Sequence, residues 1–159
     1  MNHDHTQPDR SAVVPFRWQA GELQILLITS RRDGRWIIPK GRLEVGMSPA
    51  ESAAKEAIEE AGAAGILYRN SLGTYHHPIE TGNVTVEVFS LLVNVVHDHW
   101  LEELERKRAW FSLEEALQKL ALPGLRQIVL AWAAEVSPSI AWTARESIDR
   151  KVNLAALPM

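Results

Sequence analysis

The sequence predicts a single α/β domain of the mixed α+β kind, and three observations carry that reading. Two stretches read as β-hairpins, a capped amphipathic helix lies between them, and further helical patterns follow the second hairpin. A length of 159 residues suits one domain. With 46% hydrophobic and 23% charged residues, the chain has the composition of an ordinary globular protein. Such a chain buries roughly 70% of the surface its unfolded form exposes.

Each element has a local reason. Ser11–Trp18 is rich in β-formers, Ala20-Gly21-Glu22 turns, and Leu23–Ile28 is a continuous apolar run that predicts a strand covered on both faces. Arg31–Arg35 is a charged loop leading into Trp36-Ile37-Ile38-Pro39-Lys40-Gly41. Ser48 reads as an N-cap with Pro49 at the first helical position, Glu51 completes a capping box, and Gly62 stops the helix. Ile66–His77 and Val84–Val96 form the second hairpin around Glu80-Thr81-Gly82-Asn83. Ser112-Leu113-Glu114-Glu115 is another capping box, opening a helix to about Leu120, and Leu122–Val136 is a further helix. The expected organisation is a frayed N-terminus over 1–10, one domain over 11–136 and a C-terminal tail over 137–159. A helix over Ala141–Val152 is an option within that tail. His3 and His5 read as part of the solvated terminus rather than as metal ligands.

Composition excludes several classes of chemistry. The chain has no cysteine, so it has no disulfide scaffold, thiolate zinc site, cysteine nucleophile or iron–sulfur cluster. No apolar run reaches the ~18 residues of a membrane helix, and the polar N-terminus lacks a signal-peptide stretch. A cytoplasmic location is the expectation. The formal net charge of −3 argues against general nucleic-acid binding.

That small total hides a polarised distribution. Residues 1–43 hold seven Lys or Arg against four acids, whereas residues 44–60 hold five acids and one lysine. At about 100° per residue, Ala50, Ala53, Ala54, Ala57, Ile58 and Ala61 fall on one side of the helix. Glu56, Glu59 and Glu60 cluster on the other, with Lys55 at i±4 from Glu51 and Glu59. Like charges at this spacing weaken an isolated helix by a few tenths of a kcal/mol per pair, about. The alanine face brings the helix close to a sheet and so fixes the carboxylates. Hard oxygen ligands beside a basic loop suit Mg²⁺ or Mn²⁺ gripping a phosphorylated substrate.

The segment from Gly41 to Ala63 resembles a Nudix box: glycine, five residues, glutamate, seven residues, then Arg-Glu-apolar-x-Glu-Glu-x-Gly-apolar. Gly41, Glu56, Glu59, Glu60 and Gly62 match at full spacing. Met47 stands where the family has glutamate and Lys55 where it has arginine, the two residues that commonly brace the loop in the family. With both altered, no carboxylate is orphaned, and the Lys55 stem is expected near Met47 with its ammonium on Glu51 or Glu59. Trp36–Gly41, His99-Trp100, Glu102-Glu103 and Arg106–Ala116 are similar to the diphosphoinositol polyphosphate phosphohydrolase-like branch. The likeness runs from about Val14 to Trp132, and it implies a Nudix-type α/β/α sandwich with a mixed sheet between helices.

The resemblance also implies roles. Glu56 and Glu60 would bind metal directly, Glu59 would be a ligand or orient water, and the Gly41 carbonyl would complete the site. Glu56 is the first choice for general base. A further acid is sought among Glu102, Glu103 and Glu105. Arg17, Arg31, Arg32, Lys40 and Arg42 are the candidates for phosphate contacts, with two or three expected to be real. His76 and His77 read as structural or surface residues, Arg106-Lys107-Arg108 as a solvated run or a phosphate cap, and Trp100, Trp110 and Trp132 as packing residues.

The implied activity is hydrolysis of a pyrophosphate link in a small phosphorylated substrate, a nucleoside or inositol diphosphate compound. Diphosphoinositol or diadenosine polyphosphates are the favoured examples. A competing reading is a binding or regulatory module that has lost turnover. Met47 and Lys55 are its support, and retention of all three glutamates opposes it. Membrane partners are not expected, long nucleic acid is disfavoured, and a homodimer is left open.

Overall fold

In the computed structural model, which describes residues 7–137, the first hairpin forms where its turn chemistry places it. Strands β1 (Arg10–Gln19) and β2 (Glu22–Thr29) pair antiparallel, with Gln19 opposite Glu22. Ala20 and Gly21 take φ of 50° and 80°, the two-residue turn whose twist matches the strands. Short strands β3 (Trp36–Ile37) and β4 (Lys40–Arg42) follow, pairing with β2 and β1.

Helix α1 (Pro49–Glu56) starts as its caps dictate, with Ser48 Oγ accepting from the Glu51 amide at 3.1 Å. It runs directly into a π turn, Ala57–Ala61, that ends on Gly62 at φ 64°. The long hairpin of β5 (Ala63–Ile79) and β6 (Gly82–Val96) is antiparallel, with register shifts at Ala64/Gly65 and Tyr68/Gly73. Strand β7 (Arg108–Ser112) returns to pair with β2. Helix α2 (Leu113–Lys119) carries the full capping box between Ser112 and Glu115, and α3 (Pro123–Val136) closes the domain.

The strands form one mixed seven-stranded sheet whose main path is β3-β2-β1-β6-β5; β1 and β6 run parallel and the other pairs antiparallel. Strand alternation splits the core into two layers. Val14, Phe16, Ile25 and Leu27 face α2 and α3, burying Leu117, Val129 and Trp132. Val13, Leu26, Ile28 and Phe89 face α1 and its π turn. This is the α/β/α sandwich, and it explains why Leu23–Ile28 is apolar without alternation. Ala50, Ala53, Ala57 and Ala61 are at most 4% exposed, so small side chains do set the helix close on the sheet.

Four features differ from expectation. The helix changes from α to π at Ala57, and Ile58, placed on the buried side by a constant 100° step, is 45% exposed. The i→i+5 turn is wider, so positions beyond Glu56 rotate away from the α-helical count. Strands β3, β4 and β7 have no counterpart among the predicted elements, because two to five residues carry no period of their own. Asp9 and Arg10 sit on the sheet rather than in a frayed end: Arg10 opens β1, and the Asp9 and Thr85 amides each donate to the other's side chain at 3.0 and 2.9 Å. His3, His5 and, beyond Ser137, the predicted tail lie outside the described residues. No described helix is long and apolar enough to cross a membrane.

Candidate active site

The π turn leaves its last carbonyls without helical partners, and the loop from Trp100 to Arg108 supplies them. The Glu102 amide donates to the Glu59 carbonyl at 3.1 Å, Trp100 Nε1 to Glu60 at 3.0 Å, and the Arg108 guanidinium to Ala61 at 2.9 Å. Arg108 also lies 3.8 Å over the Trp100 ring. Three consecutive carbonyls at the end of the acidic helix are therefore tied to one loop, which fixes the glutamates relative to it. In an i→i+5 turn, a residue four positions on falls more nearly above its predecessor. Glu60 is thereby brought to Glu56, close enough for a proton on Glu60 to be shared with it.

These residues line a cleft of about 870 Å³. Of the predicted site, Glu56, Glu59, Glu60, Gly41, Arg31, Arg32, Lys40 and Arg42 all line it, as do Glu102 and Glu105. Arg17 does not: its side chain donates to Gln24 at 2.9 Å and stacks 4.0 Å over Trp110, which uses it structurally. Glu103 is also turned away and pairs with His99 at 3.1 Å. Arg10, which was not a phosphate candidate, lines the cleft, and so does Arg106 from the run with the two readings of solvated surface and phosphate cap. Against the solvated-run reading, the Arg106 side chain is 8% exposed and lies 3.4 Å from both Glu60 and Glu102. His76 is exposed, Trp132 is core, and Trp100 and Trp110 are half-buried packing residues.

The electrostatics follow from burial. Glu60 is 4% exposed, and its Oε2 has no hydrogen-bond partner in addition to the Arg106 ion pair. Burial pushes its carboxyl up to about 8; Arg106 opposes this, while Glu56 and Glu102 add to it. Glu56 is raised by burial first, then by the Glu59 and Glu102 charges, while the hydrogen bond from Glu60 and the Lys55 charge oppose this. Lys40 is lowered by burial, against the pull of Glu60. A site that raises its own carboxylates above their ordinary range is short of positive charge. Arg31 is meanwhile held by Glu102 at 3.2 Å and Glu105 at 3.3 Å, and Arg32 by Glu80 at 2.9 Å.

A divalent cation fits this donor set. Its donors are hard oxygens, one of them buried without a hydrogen bond. Gly41 adds a second sign: a Cβ there would come within 2.3 Å of Glu56 Oε1, so the glycine lets the carboxylate lie against the strand. Among the described residues no three His, Asp or Glu side chains close into a ready-made cage.

The brace between loop and helix is built differently from expectation. The Lys55 ammonium contacts Glu59 at 3.0 Å, as anticipated, but its other partner is Glu44. Glu51 turns instead to Arg69 at 3.0 Å. Glu44 is anchored at its own amide, which donates to Ser52 Oγ at 3.1 Å. A carboxylate three positions before Met47 thus takes over the loop end of the brace, while Met47 is 38% exposed. Lys55→Met is expected to lower kcat about tenfold through loss of Glu59 orientation. Because both partners are partly exposed, stability should change by less than ~1 kcal/mol. Met47→Glu should gain nothing, since Lys55 is already engaged. Steady-state kinetics and thermal melts check both, and a Met47→Glu gain in both quantities would remove Glu44 from this role.

The sequence matches the NUDIX domain over residues 7–132. It is 34% identical over 125 residues to Nudix hydrolase 21, chloroplastic, of Arabidopsis thaliana, covering 75% of this chain; the chain spans 63% of that relative's length. It is 34% identical over 113 residues to diphosphoinositol polyphosphate phosphohydrolase 3-alpha of Homo sapiens, covering 70% of this chain and 68% of that one. The crystal structure of the Ap4A hydrolase of C. elegans superimposes with a TM-score of 0.68 at 20% identity, covering 82% of this chain and 98% of that one, a likeness of fold.

Proposed function

Since the chain belongs to the NUDIX domain family, we propose that it is a divalent-metal-dependent hydrolase of phosphoanhydride links in small phosphorylated substrates. The observation that carries this reading is one cleft in which Glu56, Glu59 and Glu60 face Arg10, Arg31, Arg32, Lys40, Arg42 and Arg106. Glu56, Glu60 and the Gly41 carbonyl would hold Mg²⁺ or Mn²⁺, with Glu59 as a further ligand or to orient water. The ion, when bound, supplies neutralisation of the charge that develops on the phosphate oxygens. The arginines and Lys40 fix the remaining oxygens and align the scissile bond, which is most of what phosphoryl transfer asks of a protein. Glu56 would take the proton of the attacking water. Arg31 and Arg32 would exchange their carboxylate partners for substrate phosphate. Nucleoside and inositol diphosphate compounds are both candidate substrates, and a cysteine-free chain is in keeping with the cytoplasm.

The Glu44–Lys55–Glu59 contacts also favour an enzyme over a binding module, because the feature that suggested lost turnover is compensated. The test is phosphate release from a panel of pyrophosphate-linked compounds, with Mg²⁺, with Mn²⁺ and with chelator. Turnover that requires the ion is expected. Tight ligand binding without turnover under either ion would establish the binding module instead.

A further inference from the structure

Two arginines share one carboxylate oxygen in the cleft, and they are held with unequal firmness. Arg106 donates from Nη1 to the Thr29 carbonyl at 3.0 Å and lies 3.4 Å from both Glu60 and Glu102 Oε1, with its side chain 8% exposed. Arg31 reaches the same Oε1 from the β2–β3 loop at 3.2 Å, and Glu105 at 3.3 Å, with its side chain 58% exposed. Both Arg31 contacts use the single nitrogen Nη1. Glu102 is fixed by its amide, which donates to the Glu59 carbonyl at 3.1 Å. Its side chain is 14% exposed, and its charge helps to raise both Glu56 and Glu60.

We propose that Arg31 is an exchange latch on the cation site. Lying on Glu102, its guanidinium cancels negative charge that a divalent ion needs; drawn off by a substrate phosphate, it returns that charge to the ion beside Glu56 and Glu60. Phosphate and cation then strengthen each other's binding through one side chain, in addition to any direct contact between them. The inference rests on the hydrolase reading above and deepens it, since it concerns how the same cleft is loaded. Exposure decides which arginine moves. Withdrawing Arg106 would leave two buried carboxylates without a partner, a heavy cost. Arg31 leaves a half-exposed bridge, whose outer contact with Glu105 contributes little in water. Phosphate is also its better partner. Its present contacts are longer than the about 2.7–2.9 Å of good charge-assisted bonds, and a phosphate offers two oxygens to the guanidinium fork. Once Arg31 has left, Glu60 and Glu102 share the one guanidinium of Arg106, two negative charges to one positive. A buried carboxylate is poorly screened, so a cation next to Glu60 gains from that imbalance.

Equilibrium binding separates this inference from turnover. Isothermal titration of the full chain with Mn²⁺ alone, and with methylenediphosphonate in chelator, reads the two sides of the exchange. Arg31→Gln is expected to tighten Mn²⁺ binding about fivefold, and in a Glu102→Gln background the same change should shift it by less than about twofold. Glu102→Gln should tighten metal-free diphosphonate binding about threefold, and only where Arg31 is present. Thermal melts confirm that each variant is folded, and Glu102→Ala serves if Glu102→Gln is not. An equal Mn²⁺ gain in both backgrounds would be the loss of a nearby positive charge and nothing more, and it overturns the latch. So does Mn²⁺ binding that is unchanged or weaker in Arg31→Gln, or that is missing at millimolar ion in both. Ion-dependent turnover without this coupling would leave the hydrolase reading and remove the latch. Coupling without turnover of any pyrophosphate compound would uphold the latch and defeat the hydrolase reading alone.

Discussion

Glu60→Gln is expected to cost about 10³-fold in kcat while making the ion-free protein more stable at pH 8. The two effects have one cause. A carboxylate that is 4% exposed, with an oxygen that finds no hydrogen-bond donor, is kept for charge rather than for packing. Its ordinary value of 4.5 is raised to about 8, so between these values the folded protein holds a proton that the unfolded chain releases. Stability is then fully present below about pH 4.5 and is lost as pH rises through 8, the sign expected when the folded form binds more protons. Glutamine is neutral throughout, so the variant should show a flatter pH dependence and gain roughly 1–3 kcal/mol at pH 8. Arg106, left with one buried carboxylate partner fewer, limits the gain.

A divalent ion reverses the order. It takes the place of the proton, so its stabilising effect on the wild type grows from pH 6 to pH 8 and is largely absent in the variant. Melting curves at three pH values, with Mg²⁺ and with chelator, read this directly. If the wild type in chelator were as stable at pH 8 as at pH 6, the buried charge would not be the liability described. The expected loss in kcat is of the size found when one preorganised oxyanion-hole donor is removed from an active site.

Why the site was legible in part follows from where its information sits. Caps and turns are local chemistry, so Ser48, Gly62 and the Ser112–Glu115 box announce their elements correctly. The three glutamates are readable because one helix carries them. The π turn is not, since a fixed angular step has no term for a change of helix type, and Ile58 was misplaced for that reason. Arg17 and Arg106 show the harder limit. Arg17 stands among apolar residues and Arg106 in a charged run, and only the return of β7 against β2 sends one onto Trp110 and draws the other under Glu60. Glu44 was hidden in the same way: its spacing fits no helix pair, because it approaches Lys55 across the loop.

Gly41→Ala is expected to remove about 99% of activity with little change in stability, and Gly65→Ala to do the reverse. Neither glycine is required for a positive φ; both are required by what lies against them. At Gly41 a Cβ would stand 2.3 Å from Glu56 Oε1 and 2.4 Å from its Cδ, the far end of a flexible side chain. Glu56 can leave that contact by changing rotamer, at about 1 kcal/mol, an amount offset by the lower unfolded-state entropy of alanine. The fold survives, but the carboxylate proposed as base and ligand is moved by more than the tolerance of the chemistry. At Gly65 the Cβ would stand 1.9 Å from the Leu92 carbonyl oxygen on the paired strand. Backbone in a sheet has no rotamer to change, so the β5–β6 pairing itself must open, at ~3 kcal/mol. Activity per folded molecule should then remain near the wild-type value, because neither Gly65 nor Leu92 lines the cleft. Melting temperature and kcat measured on both variants decide the matter. A Gly41→Ala protein with unimpaired turnover would show that Glu56 does not act from the position it holds against β4.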